Sequence, residues 1–100
     1  MRAVGLSDLD VAARALLGQP QGDWPKVAAQ LIVDAHTADV WRKRYGVAHP
    51  NGGTGSLYAQ ASLLPCARST QCGEQYCAAL AQVLAALAQW RARVRIDAAA

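Results

Sequence analysis

The residues best suited to chemistry in this chain are three cysteines and two histidines: Cys66, Cys72, Cys77, His36 and His49. Thiolates and imidazoles could together supply the four ligands of a structural zinc ion. Such sites are built from close ligand pairs, typically two to four residues apart. Here five residues separate Cys66 from Cys72, and four separate Cys72 from Cys77. An odd cysteine count also argues against a disulfide framework. Cys77 is placed on the apolar side of a helix, where a thiol behaves as a small hydrophobe. The expectation is no metal and no cofactor.

Covalent catalysis finds little more material. Thr54-Gly55-Ser56-Leu57-Tyr58 departs at both glycines from the Gly-x-Ser-x-Gly turn that exposes a nucleophilic serine. A cysteine–histidine pair stays open, because such partners meet in space and not in sequence. Glu74 is the single glutamate, and with two histidines it leaves few groups for general acid–base work. Gly52-Gly53-Thr54-Gly55-Ser56 is glycine-rich ahead of a helix. A phosphate-cradling loop needs a lysine before the hydroxyl residue and a strand before the loop. This chain has Gly55 and a helix in those places. The loop motif His49, Pro50, Gly55 and Ser56 therefore reads as a flexible reversal, with anion binding at the next helix N-terminus as the alternative. No catalytic residue and no small-molecule substrate is predicted.

Charge gives a different kind of chemistry. Arg42, Lys43 and Arg44 close one helix, and Arg91, Arg93 and Arg95 close another. Both clusters can face phosphates without reading sequence. Equally, cations in a last turn complement the helix dipole. Residues 46–55 make too long a connection for a helix-turn-helix reader, whose turn takes three or four residues. Trp41 and Trp90 each sit beside arginines, a pairing enriched at binding hot spots. Trp41 reads as a core anchor. Trp90 reads equally as core or as partner contact.

The elements that must position these residues are helices. Ser7-Asp8-Leu9-Asp10 has the form of a capping box, opening a helix from about Asp8 to Leu17 with Leu9, Ala12, Ala13, Leu16 and Leu17 on one face. A second helix starts near Trp24-Pro25, where proline is tolerated, and carries Val27, Leu31, Ala35, Ala38, Trp41 and Tyr45 at helical steps. The segment 46–55 is the Gly/Pro-rich loop. Ser56 or Thr54 caps a short third helix to about Leu64, which Pro65 ends. A polar connector, Ala67 to Gln71, follows. The fourth helix runs from about Glu74 to Arg95 without glycine or proline. Tyr76, Leu80, Val83, Leu87, Trp90 and Val94 alternate along it by four and three, a heptad seam. Residues 97–100 read as a frayed tail.

The 100 residues make a single domain with one modest core. Hydrophobic residues are 53% of the chain, many of them alanine, and phenylalanine is absent. So little bulk suggests a core completed by a partner surface. Net charge is +3 with pI near 9.0. Residues 1–41 hold three basic and five acidic residues, whereas 42–100 hold seven and two. That basic second half can attract phosphates or an acidic partner. No apolar run is long enough to span a membrane, and a cytoplasmic location is the expectation.

The stretch Arg42-x-Arg44-x-Gly46-x-x-His49-Pro50-x-Gly52-x-x-Gly55-Ser56-Leu57 resembles a family of small alphaproteobacterial proteins. So does the opening Met1-Arg2-Ala3-Val4 followed by Ser7-Asp8-Leu9-Asp10-x-Ala12-Ala13. These proteins are encoded at the start of gene transfer agent clusters, beside the large terminase. The resemblance covers most of the chain and implies a small terminase-like role: helical oligomers that recruit the large terminase subunit and present DNA to it. It also implies that ATPase and nuclease work belong to the large subunit. Typical small terminases carry an N-terminal helix-turn-helix domain, and this chain has no room for one, which puts sequence-specific DNA recognition in doubt.

The expected fold is an all-α bundle of about four helices with a long C-terminal helix. It would self-associate through the seam Tyr76, Leu80, Val83, Leu87, Trp90 and Val94. The expected function is a non-enzymatic DNA-packaging adaptor that touches DNA weakly through Arg42, Lys43, Arg44, Arg91, Arg93 and Arg95. The alternative is a regulatory protein–protein interaction module without nucleic-acid contact.

Overall fold

A computed structural model describes residues 1–68 and 73–99. Four α-helices form among them: α1 (Leu6–Leu17), α2 (Trp24–Tyr45), α3 (Leu57–Ala61) and α4 (Glu74–Ala99). A single 3-10 turn, Gln21–Asp23, leads into α2. No strand occurs among the described residues, so the chain is all-α. None of the helices is long and apolar enough to cross a membrane.

Helix α1 begins two residues earlier than the capping box of the sequence suggests. Gly5 is the N-cap, and Asp8, in the third helical position, reaches back so that its Oδ2 accepts the Gly5 N–H at 2.9 Å. The reason is tertiary. Asp8 is almost fully buried, and its other oxygen accepts the Tyr58 N–H at the start of α3, also at 2.9 Å. Ser56 caps α3 through its hydroxyl, which accepts the Ala59 N–H at 3.0 Å. Asp8 and Ser56 thus occupy the donors that an anion at this N-terminus would need. Helix α3 is shorter than expected and stops at Ala61. Helix α4 is longer and continues through 97–99, where fraying was expected.

The core is built on small residues. Ala12, Ala13, Ala15, Ala28, Ala35, Ala61 and Ala79 are essentially inaccessible, interleaved with Leu16, Ile32, Leu57 and Val83. Alanine lets helix axes come close, so backbone approach replaces side-chain bulk. Trp24 supplies the largest buried side chain at the start of α2, and its Nε1–H donates to the Gln19 carbonyl at 3.1 Å. Helix α4 packs across both α1 and α2. The radius of gyration is 13.5 Å, close to the about 13 Å of a compact chain this long.

This packing corrects the reading of the α4 seam. Val83 and Leu87 are buried in the chain's own core, and Tyr76, Leu80 and Trp90 pack against it half-buried. Only Val94 faces solvent to any extent, at 43% exposure. The heptad spacing is real, but α1 and α2 cover the stripe. Alanine-lined contacts supply the core that the lack of bulky residues suggested was missing. Tyr76 also donates its hydroxyl to Asp10 of α1 at 2.7 Å. Tyr76→Phe is expected to lower stability by about 1 kcal/mol, the usual net worth of such a bond. Urea denaturation would check this, and an unchanged midpoint would refute it.

Candidate functional site

The last turns of α2 are organised by a carboxylate that the charge count placed among ordinary surface acids. Asp39 is 2% exposed. Its Oδ2 lies 3.0 Å from Lys43 Nζ and 3.2 Å from the Met1 ammonium, and its Oδ1 lies 3.4 Å from Arg42. Burial alone would raise the Asp39 pKa. The hydrogen bonds and charges of Lys43 and the Met1 ammonium outweigh burial, and hold it at about 2. Three cations around one buried carboxylate is compensation for desolvation. Arg42 and Lys43 thus balance a buried charge of their own helix, with 36% and 69% of their side chains still exposed. Arg44 is exposed and pairs with no acid among the described residues; its guanidinium lies 5.4 Å from the Tyr45 ring.

The glycine-rich segment closes over the same carboxylate. Gly55 sits at φ +108, and a Cβ there would lie 2.8 Å from the Asp39 Cα. Gly53 is buried, with the Gln60 side-chain oxygen in the space a Cβ would take. Arg2 N–H donates to the Gly55 carbonyl at 2.9 Å, and His49 N–H to the Gly53 carbonyl at 3.0 Å. The expected flexible reversal is instead a packed lid on α2. Composition suggested mobility, whereas the glycines serve close approach. Pro50 is exposed at the turn, and Ser56 is spent as the α3 cap.

His49 edges onto Trp41 with ring centroids 5.1 Å apart, and Trp41 stacks on Tyr45 at 4.4 Å. Trp41 is half-buried, and its indole N–H is shut from solvent without an acceptor. Val33 and Val40 stand on the outward side of α2, at 42% and 52% exposure. His36 lies between them and meets Trp90 of α4 at 5.2 Å. Its Nδ1 is 2.9 Å from the Met1 ammonium. Burial and the neighbouring ammonium lower the His36 pKa, and Asp39 partly opposes them.

The α4 arginines are all exposed, and none forms an ion pair among the described residues. They do not form one patch. Arg91 and Arg95, four residues apart, share a side, while Arg93 falls roughly opposite on a 3.6-residue turn. Arg93 instead borders a cleft with Val33, Gln89 and Trp90.

The metal and cysteine readings scatter. Cys66 is half-buried, with its Sγ 3.4 Å from the Leu64 carbonyl. Cys77 is exposed, not on the apolar side of α4 as its spacing suggested. Cys72 lies outside the described residues. No group of three potential ligands converges among the described residues.

A family model described as "Domain of unknown function (DUF7742)" matches residues 2–87. The chain belongs to the DUF7742 family. The matched DUF7742 region takes in α1, α2, the packed loop, α3 and α4 as far as Leu87, its last fully buried side chain. It includes Asp39, Arg42, Lys43 and the outward face of α2, and it leaves out Met1, Trp90 and the α4 arginines. No curated protein and no solved structure matches the chain.

Proposed function

We propose that this DUF7742 protein is a non-enzymatic cytoplasmic adaptor of a DNA-packaging apparatus, small terminase-like, which recruits the large terminase motor and touches DNA weakly without reading sequence. The packaging context rests on the family resemblance of the loop and N-terminal motifs. The observation that carries the DNA contact is the Arg91–Arg95 side of α4: two exposed guanidiniums, one turn apart, with no ion pair among the described residues. Because α1 and α2 cover the α4 seam, self-association through it forms no part of this reading. Arg42 and Lys43 already face Asp39, so they weigh less in this reading than the α4 arginines.

Gel retardation of duplex DNA at stepped salt concentrations tests the proposal. Weak retardation at low salt is expected. Arg91→Ala with Arg95→Ala should flatten the plot of log affinity against log salt by about 2, near one counterion per lost phosphate contact. Failure of the wild-type protein to retard DNA at low salt would remove the contact.

The second reading is a regulatory interaction module with no nucleic-acid contact. The apolar, aromatic outer face of α2 favours it, since such a face is better matched to protein than to a phosphate backbone.

A further inference from the structure

A helix covered on one side usually turns a polar face to water. Helix α2 does not. Its inner side is filled by Ala28, Leu31, Ile32, Ala35 and Ala38. Yet Val33, Thr37, Val40 and Arg44 follow each other on the outer side at four-, three- and four-residue steps. Thr37 turns its hydroxyl to the Val33 carbonyl at 3.0 Å, so it offers that donor to nothing outside. At one end of this stripe lies a cavity of about 300 Å³ lined by His36, Val40, Trp41, Arg44 and Tyr45. At the other lies the cleft of Val33, Trp90 and Arg93, and the His36–Trp90 contact joins the two.

We propose that this outer face of α2 is a docking groove for an acidic amphipathic helix of a second protein. It deepens the adaptor reading by naming where the partner sits and what its surface is like.

Three observations select that occupant. The charged groups lining the two ends are Arg44 and Arg93, one at each, and no aspartate or glutamate lines either end. The rims therefore complement acids. The stripe from Val33 to Tyr45 is roughly 18 Å long at 1.5 Å per residue, which matches about three turns of a bound helix. A half-buried tryptophan, a tyrosine and an arginine at one end are the residue types that anchor helix-in-groove contacts. A second copy of this chain is disfavoured, because it would bring arginine rims against arginine rims. DNA is disfavoured because Val33 and Val40, the exposed apolar residues of the stripe, offer a phosphate nothing.

The test titrates isotope-labelled protein with two synthetic peptides carrying the same leucine stripe at helical spacing, one flanked by glutamate and one by lysine. The glutamate peptide should shift the Trp41 and Trp90 indole signals and the amides between Val33 and Tyr45. The Trp24 indole, buried at the far end of α2, should not respond. Val40→Glu and Arg44→Glu alter exposed side chains, so melting should be unchanged while peptide affinity falls by about tenfold or more. Neither peptide binding, or the lysine peptide binding equally well, overturns the proposal. So does a short DNA duplex shifting these same signals and displacing the glutamate peptide, which would make the groove a nucleic-acid surface. Concentration-dependent shifts of these signals without any peptide would identify a self-interface instead. Loss of DNA retardation alone would sink the Arg91–Arg95 contact and leave this titration unaffected.

Discussion

Asp39→Ala is expected to destabilise the protein by about 3 kcal/mol, because breaking a buried pair leaves its partner charge uncompensated. Here the stranded partner is the Met1 ammonium, on a residue whose side chain is 3% exposed. Lys43 and Arg42 contribute less, since solvent screens them and they can swing outward. The pH dependence carries the sign of a depressed acid. Asp39 titrates near 2 in the folded chain against 3.8 for its ordinary value. Its contribution is therefore fully present above about pH 4 and is lost as pH falls through about 2. The wild-type protein should thus converge on the variant in acid. Denaturation midpoints at neutral pH and in acid would measure this. Equal midpoints for the two proteins at neutral pH would show that the cluster does not hold the fold.

Gly55→Ala is expected to cost as much or more, again about 3 kcal/mol. Two penalties combine: a non-glycine residue at φ +108 is strained, and the added methyl would collide with the Asp39 backbone, which cannot swing away as a side-chain tip can. Gly46, also at positive φ but with open space around it, is the control. Gly46→Ala should show the backbone cost alone, about 1 kcal/mol. If the two substitutions destabilise equally, the lid does not press on α2 in solution.

Much of the fold is legible in the residues. The capped openings, the three- and four-residue steps and the breaks at Gly18, Gly46 and Pro65 locate all four helices, because local periodicity and backbone chemistry set them. What periodicity omits is the identity of the covering surface. The α4 stripe is spaced like an oligomer seam, and only the path of α1 and α2 across it shows that the chain covers itself. The Asp39 cluster was half legible: Arg42 and Lys43 stand three and four residues on, the spacing of helical ion pairs. Burial of that aspartate was not legible, because it depends on Gly55 and Met1 folding over it from distant parts of the chain. The opposition of Arg93 to Arg91 and Arg95 was readable from helical geometry, and a count of basic residues hides it. The groove on α2 was obscured by the assumption that a helix has one apolar side. Val33 and Val40 fall outside the row that begins at Val27, and they gain meaning only once Trp90 is seen beside Val33 and Trp41 beside Val40.

The single carboxylate of Asp8 accepts one amide from the N-terminal arm and one from the first turn of α3. Two segments, at Gly5 and at Tyr58, are thereby latched by one side chain. Neither can come loose without weakening the other, so deuterium should enter the Gly5 and Tyr58 amides at a common rate set by one shared opening event. The arm and the short helix would then breathe as one foldon, and Asp8→Asn, by loosening the latch, should quicken exchange at both positions together.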